Sequence, residues 1–149
     1  LLTVPIDHVT ELSLPPLRAI LAKPELSVCQ EIWADGGIGP ARQAVISRTP
    51  RPVCAILGRR RDDPAGAALV AVDGAIAMVH ALHVLPEHRG AGVARTMLTR
   101  AGRWANARGC TTLALAVVAE NQPARRLFDG LGFAEAARYH YRAAPVLGP

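Results

Sequence analysis

The sequence predicts one α/β (α+β) domain, a mixed and mostly antiparallel central sheet flanked by helices. Three observations carry that reading. Up to about residue 50, apolar residues recur at helical spacing, as in Leu26, Cys29, Ile32 and Trp33. From residue 52 the pattern changes to short extended runs, two of them separated by Asp73-Gly74, a strong signal for a tight hairpin. Beyond residue 92, helical stripes alternate with apolar runs of strand length. The 149 residues are one domain's worth of chain, enough to bury roughly 70% of the unfolded surface.

The elements follow in order. Residues 1–14 read as irregular, with at most a short strand over 1–4. Residues 16–22 read as one or two helical turns, and 25–33 as a helix. Asp35-Gly36-Gly37-Ile38-Gly39 breaks it, and Pro40 opens another helix that runs to about residue 47. Residues 1–50 thus form a helical N-terminal part ahead of a core over 52–142. Strands over 53–58, 67–72 and 75–85 make an antiparallel meander, and Pro86 ends the third. A helix over 92–108 places Val93, Met97, Leu98, Ala101, Trp104 and Ala105 on one face, and Gly109 suits the position after its end. The nearly continuous apolar run 111–118 fits a strand covered on both faces. Asn121 or Gln122 caps a last helix with the stripe Ala124, Leu127, Phe128 and Leu131. Gly132 closes that helix, and 133–142 reads as a final strand.

Composition excludes several classes. Half the residues are hydrophobic, which argues against disorder. No apolar run approaches the roughly 20 residues of a membrane span, and no signal-peptide pattern opens the chain. The expectation is a cytoplasmic protein that binds no membrane. The net charge of +5 invites a nucleic-acid reading, but all except one of the seventeen cations are arginine, and the run Arg59-Arg60-Arg61 is answered at once by Asp62-Asp63. That run reads as a solvated hairpin turn. With two each of Phe, Trp and Tyr, not interleaved with basic residues, a base-stacking surface is not expected. Cys29, Cys54 and Cys110 lie apart among apolar residues and read as buried free thiols, with no metal site. The chain begins Leu-Leu, which reads as a segment excised from something longer.

The chemistry concentrates in Pro86-Glu87-His88-Arg89-Gly90-Ala91-Gly92, between the third meander strand and a helix. A helix N-terminus presents unpaired amides and a partial positive charge, and glycine lets an anion approach the backbone. A nucleoside-triphosphate loop would end in Gly-Lys-Ser/Thr, where this chain has Gly-Val-Ala. A dinucleotide fingerprint needs a βαβ unit and an acid about 20 residues on, and no acid stands between Glu87 and Glu120. The run Arg89-x-x-Gly92-x-Ala94, preceded by Leu82-His83-Val84-Leu85-Pro86, resembles the pyrophosphate motif of the GCN5-related N-acetyltransferase (GNAT) superfamily. Asn121-x-x-Ala124-x-x-Leu127-Phe128-x-x-Leu131-Gly132-Phe133 resembles that family's fourth-helix signature. The resemblance is close over residues 66–142 and loose before them.

The resemblance implies an acyl-CoA-dependent N-acyltransferase that moves an acetyl group from acetyl-CoA to a primary amine of a small molecule, peptide or protein, by direct attack in a ternary complex. It implies a pyrophosphate cradle at Arg89, Gly90, Ala91, Gly92, Val93 and Ala94. Backbone groups of Leu82, His83 and Val84 would hold the pantetheine and polarise the thioester, with Asn121, Ala124 and Phe128 completing the cofactor set. Two departures stand out. Phe128 occupies the place where family members often carry a tyrosine acid, which leaves Tyr139 and Tyr141 as candidates. No carboxylate stands on the third meander strand, so the base candidates are His80 and His83, with Glu120 behind them. Three apart on a strand, the histidines are expected on opposite faces unless a bulge intervenes. Material for only one strand follows the last helix, so a missing N-terminal segment or a second subunit is expected to complete the sheet edge. The alternatives are a non-catalytic acyl-CoA-binding or regulatory domain, and a structural partner domain of a larger protein.

Overall fold

The computed structural model describes residues 1–13 and 17–142. Its strands are β1 (Leu2–Pro5), β2 (Arg18–Ala22), β3 (Val53–Arg60), β4 (Asp63–Asp73), β5 (Ile76–Val84), β6 (Thr112–Leu115) and β7 (Ala134–Glu135). Its helices are α1 (Ile6–Thr10), α2 (Ser27–Asp35), α3 (Pro40–Ser47), α4 (Val93–Asn106) and α5 (Gln122–Gly130). One sheet runs in the order β2-β3-β4-β5-β6-β1-β7. Every neighbouring pair is antiparallel except β5 with β6. Among the described residues, no helix is long and apolar enough to cross a membrane.

The meander β3-β4-β5 forms as the alternating pattern predicts, with hairpins at Arg61-Asp62 and Gly74-Ala75. The arginine run ends β3 and enters the first of these turns at the exposed Arg61, with the Arg59 guanidinium donating to the Asp62 carbonyl. Core side chains fill both faces of the sheet. On one, Ile56, Ala68, Val70 and Val79 meet Val93, Met97, Leu98 and Ala101 of α4, Val9 of α1, and Phe128 of α5. On the other, Ala55, Leu57, Ala67 and Leu69 meet Cys29, Ile32 and Trp33 of α2. Cys29, Cys54 and Cys110 are free and buried, as expected of apolar-flanked thiols.

The N-terminal part is where the sequence reading needs correction. Residues 1–50 are not simply helical. Residues 18–22, read as helical turns, are the edge strand β2, in register from Arg18 opposite Arg59 to Ala22 opposite Ala55; Pro16, where that expected helix began, lies outside the described residues. An edge strand buries little, so its apolar pattern carries almost no period; pairing with β3 decides its state. The opening residues are not peripheral either. β1 lies inside the sheet, pairing Leu2 with Leu115 on one side and with Glu135 on the other. The place beside β6 is thus filled by the chain's own first residues, because Leu2 and Val4 are apolar enough to be buried there, and β7 forms that edge of the sheet. At the C-terminal end, the strand expected over 133–142 shrinks to Ala134–Glu135, and the strand expected over 111–118 to Thr112–Leu115. Past β7 the contact with the first residue runs on only briefly, Ala136 N–H donating to the Leu1 carbonyl at 3.0 Å and the Leu1 amino group to the Ala137 carbonyl at 2.8 Å, and β6 ends although β5 continues beside it. Residues 143–149, expected to add little to the sheet, lie outside the described residues.

Candidate active site

The parallel pair β5-β6 is matched only from Ile76 opposite Thr112 to Val79 opposite Leu115. There β6 stops, while β5 continues to Val84. The edge of β5 over residues 80–84 thus faces a gap, and Leu82, His83 and Val84 line it. The same stretch is bulged. Leu69 pairs with His80 and Ala67 with His83, so two steps along β4 match three along β5. The extra residue falls around Ala81, whose φ of +50° is left-handed, and Trp33 Nε1 of α2 donates to the Ala81 carbonyl at 2.9 Å. Cross-strand partners share a face. His80 and His83 therefore both lie on the α2 face with Leu69 and Ala67, and not on opposite faces as an unbroken strand would require.

Pro86 closes the strand with a single 3₁₀ turn over Pro86–His88, and the loop then reverses into α4. Gly90 and Gly92 have φ of +72° and +87°, and Gly92 is the residue immediately before the helix. Such values cost an L-residue with a Cβ about 1–2 kcal/mol, which accounts for glycine here. Arg89 is committed locally: its amide donates to the Pro86 carbonyl at 3.3 Å and its Nε to the Val84 carbonyl at 3.1 Å. The amide cradle therefore starts one residue later than the sequence implied. Among the described residues, no carbonyl accepts from the amides of residues 90–95, and the first bond of the turn is Thr96 N–H to the Gly92 carbonyl at 3.0 Å. Six N–H groups without a carbonyl partner at the start of a fourteen-residue helix are the kind of donors that favour an anion by elementary electrostatics.

The other predicted positions separate. Asn121 caps α5, its Oδ1 accepting from the Ala124 amide at 3.2 Å, which leaves the side-chain NH₂ for a ligand. Ala124 is half-buried at the edge of the α4-side core, and Phe128 is buried in it, edge-on to Phe133 at 5.7 Å. Glu120 is exposed in the turn before α5. Tyr139 and Tyr141 lie beyond β7, outside any strand, both exposed and edge-on to each other at 5.7 Å. No strand therefore fixes the faces on which these two side chains lie. Tyr141 pushes the Tyr139 hydroxyl above the usual tyrosine value. Among the described residues, no hydrogen bond joins either tyrosine to His80 or His83.

The two histidines differ. His80 shows much of its ring to solvent, yet the protein packed around it desolvates the imidazole enough to lower its pKa from 6.5. His83 is more enclosed, and its Nε2 lies 3.0 Å from Oδ2 of Asp35, the last residue of α2. Asp35, Gly36 and Trp33 are the positions beside these histidines that the sequence did not place there. The run Asp35-Gly36-Gly37-Ile38-Gly39 reads as a helix breaker whose glycines are a weak functional signal, and nothing local marks a partner 48 residues away. A separate recess of about 260 Å³ between β2 and α4, lined by Arg18, Thr96, Arg100 and Arg103, opens on the other face of the sheet and contains none of these residues.

Comparison with known proteins agrees with this architecture. Residues 16–133 match the model of the acetyltransferase (GNAT) family. Among curated proteins, none matches the chain in sequence. A conserved Staphylococcus epidermidis protein of unknown function superposes with a TM-score of 0.73 at 14% identity, covering 89% of this chain and 55% of that one. The chain thus spans about half of that relative's length. The aminoglycoside acetyltransferase AAC(6')-Iy, solved with the bisubstrate analogue CoA-S-monomethyl-acetylneamine, has a TM-score of 0.69 at 17% identity, covering 87% of this chain and 99% of that one. A GCN5-related N-acetyltransferase from Kribbella flavida has a TM-score of 0.65 at 20% identity, covering 89% and 52%. With a family model spanning most of its length, a β5-β6 gap and an unpaired amide cradle at the head of α4, the chain belongs to the acetyltransferase (GNAT) family.

Proposed function

We propose that the chain is an acyl-CoA-dependent N-acyltransferase that moves an acetyl group from acetyl-CoA to a primary amine by direct attack in a ternary complex. One observation carries it: the open edge of β5 leads directly into a loop whose amides from Gly90 to Arg95 have no backbone partner. That arrangement fits the group to be held. A pyrophosphate needs convergent N–H donors without Cβ atoms in the way, and an extended thiol arm needs an unpaired strand edge for its amides. When bound, acetyl-CoA supplies an activated thioester carbonyl with a good leaving group.

The chain's residues then divide the work. Backbone groups of Leu82, His83 and Val84 bind the arm, the loop holds the charged end, and the Asn121 side chain adds a donor. The base comes from the histidines of β5, both on the α2 face where an amine approaches. The buried Phe128 supplies no proton, so the leaving thiolate takes one from the attacking nitrogen or from water. Calorimetric titration with coenzyme A tests the cradle, and saturable binding is expected. No binding at millimolar coenzyme A would sink the reading. Thiol release from acetyl-CoA across a panel of primary amines then separates this reading from a non-catalytic acyl-CoA-binding domain. Phe128 in place of an acid is the observation that favours the second reading.

A further inference from the structure

The end of α2 treats the two nitrogens of one ring differently. Asp35 places its carboxylate Oδ2 3.0 Å from His83 Nε2. An ionised carboxylate only accepts hydrogen bonds, so Nε2 carries the hydrogen and the lone pair of the neutral ring is left on Nδ1. The next residue, Gly36, lies over the face of the ring. A Cβ there would stand 2.7 Å from His83 Cγ, 2.8 Å from Nδ1 and 3.0 Å from Cδ2, closer than real contacts allow. The Gly36 backbone, with φ −76° and ψ 9°, is one that any L-residue adopts. Glycine is required here by the ring and not by the turn.

Two more observations converge. Among the described residues, Nδ1 has no hydrogen-bond partner, and it is not one of the polar atoms sealed from solvent without one. The strand carrying the ring is held by the same helix, since Trp33 of α2 bonds the carbonyl of the bulge residue Ala81. One helix end thus clamps the bulge, orients the imidazole and leaves a single nitrogen approachable.

We propose that His83 is the base toward the acceptor amine, with Nδ1 as the proton-accepting atom, and that Asp35 and Gly36 are positioning residues, Asp35 fixing its tautomer and Gly36 leaving the room in which the ring lies against the end of α2. This rests on the acetyltransferase reading. The acceptor ammonium gives one proton to Nδ1. The freed amine nitrogen bonds the acyl carbon as the carbon–sulfur bond breaks, and the nitrogen's second surplus proton goes to the departing thiolate. His83 returns its proton to water. Atoms and charge balance: an ammonium and a thioester become an amide, a thiol and one released proton.

The test uses the full chain and three readouts. In nitrogen-15 NMR, the His83 ring, assigned by its loss in His83→Gln, is protonated at Nε2 and bare at Nδ1. Asp35→Ala converts it to a tautomer mixture and Asp35→Glu restores it. Diethyl pyrocarbonate, followed by mass spectrometry, labels His83 at a rate at least about tenfold different in Gly36→Ala, because the new methyl group displaces the ring, while labelling of His80 is unaltered. With acetyl-CoA and a panel of primary amines, His83→Gln lowers kcat about 10²- to 10⁴-fold, the range of a lost general base. Asp35→Ala lowers it less and leaves the KM for acetyl-CoA in place. Coenzyme A binding by calorimetry, equal in all variants, verifies that they fold. A wild-type ring protonated at Nδ1, unchanged labelling in Gly36→Ala, or an undiminished kcat in His83→Gln each overturns the proposal. If no amine in the panel is acetylated, the NMR and labelling results decide it. Failure of the wild type to bind coenzyme A overturns the acetyltransferase reading instead, independently of the tautomer.

Discussion

Replacing Trp33 by phenylalanine tests whether α2 holds the β5 bulge in place. Trp33 is wholly buried, and its Nε1 donates to the Ala81 carbonyl at 2.9 Å. Phenylalanine keeps an aromatic ring but has no donor. Leaving a part-buried carbonyl unpaired costs about 1–3 kcal/mol. The lost half of the indole leaves a void worth about 1–2 kcal/mol, a fraction of the 3–5 kcal/mol of a full aromatic truncation. The expected destabilisation is about 2–5 kcal/mol, or a fall in Tm of about 4–20 °C at 2–4 °C per kcal/mol for a chain of this size. Urea denaturation measures the first quantity, with Trp104 remaining as the fluorescent reporter, and native-state amide exchange over residues 80–84 measures where the loss falls. Ala81 sits at φ +50°, so Ala81→Gly in the variant background recovers up to about 1 kcal/mol, once glycine's greater chain entropy is set against the relieved backbone. A Trp33→Phe protein within about 0.5 kcal/mol of wild type, with exchange at residues 80–84 unaltered, would refute the reasoning. The bulge would then be held by the sheet alone.

Other predictions follow from the same contacts. His80 has a folded pKa below its unfolded value of 6.5, so the unfolded state binds the proton more readily. The native state keeps its full stability above pH 6.5 and loses part of it as pH falls through the native pKa. His80→Gln should flatten the fall in urea midpoint between about pH 7.5 and pH 5, and an unaltered slope would contradict the assignment. Burial pushes Cys29 up to about 11 and Cys54 up to about 12, and raises Cys110, so a disulfide reagent at about pH 8 should leave all three thiols unlabelled until urea unfolds the chain. Rapid labelling of native protein would show that one is accessible. Gly92→Val places a β-branched residue at φ +87°, costing about 1–2 kcal/mol of stability, and weakens coenzyme A binding about tenfold or more by crowding the cradle. Equal affinity by calorimetry would remove residue 92 from the site. Val4→Ala, in the interior strand β1, should cost about 2–3 kcal/mol in urea unfolding. A loss under 0.5 kcal/mol would mean that β1 frays.

Much of the core was legible because its signals are local. The meander announces itself through alternation and Asp73-Gly74, and α4 through a stripe that the structure buries as read, with Val93, Met97, Leu98 and Ala101 inside. The loop was legible because a left-handed backbone at Gly90 and Gly92 demands a residue type that can be seen in the sequence. β2 was misread because an edge strand shows no period. The 133–142 run shortens because β1 reaches only its first residues, and among the described residues no strand pairs with the rest. Of the two cap candidates, Asn121 or Gln122, the structure selects Asn121, and the pair was legible because capping depends on the next three residues alone.

The amino-acid sequence by itself determined the strand-loop-helix unit, the glycines that open it to an anion, and the apolar faces that make a sheet flanked by helices, because each depends on residues within a few positions of one another. Only the tertiary structure decided which strand would fill the gap between β6 and β7, since that choice is made by which distant apolar segment is free to be buried there. It also decided that His80 and His83 share a face, because one extra residue at a bulge reverses the alternation for every residue beyond it. The meeting of Asp35, Gly36 and His83 was decided there too: their geometry depends on how α2 packs across β5, and no spacing along the chain encodes a distance through space.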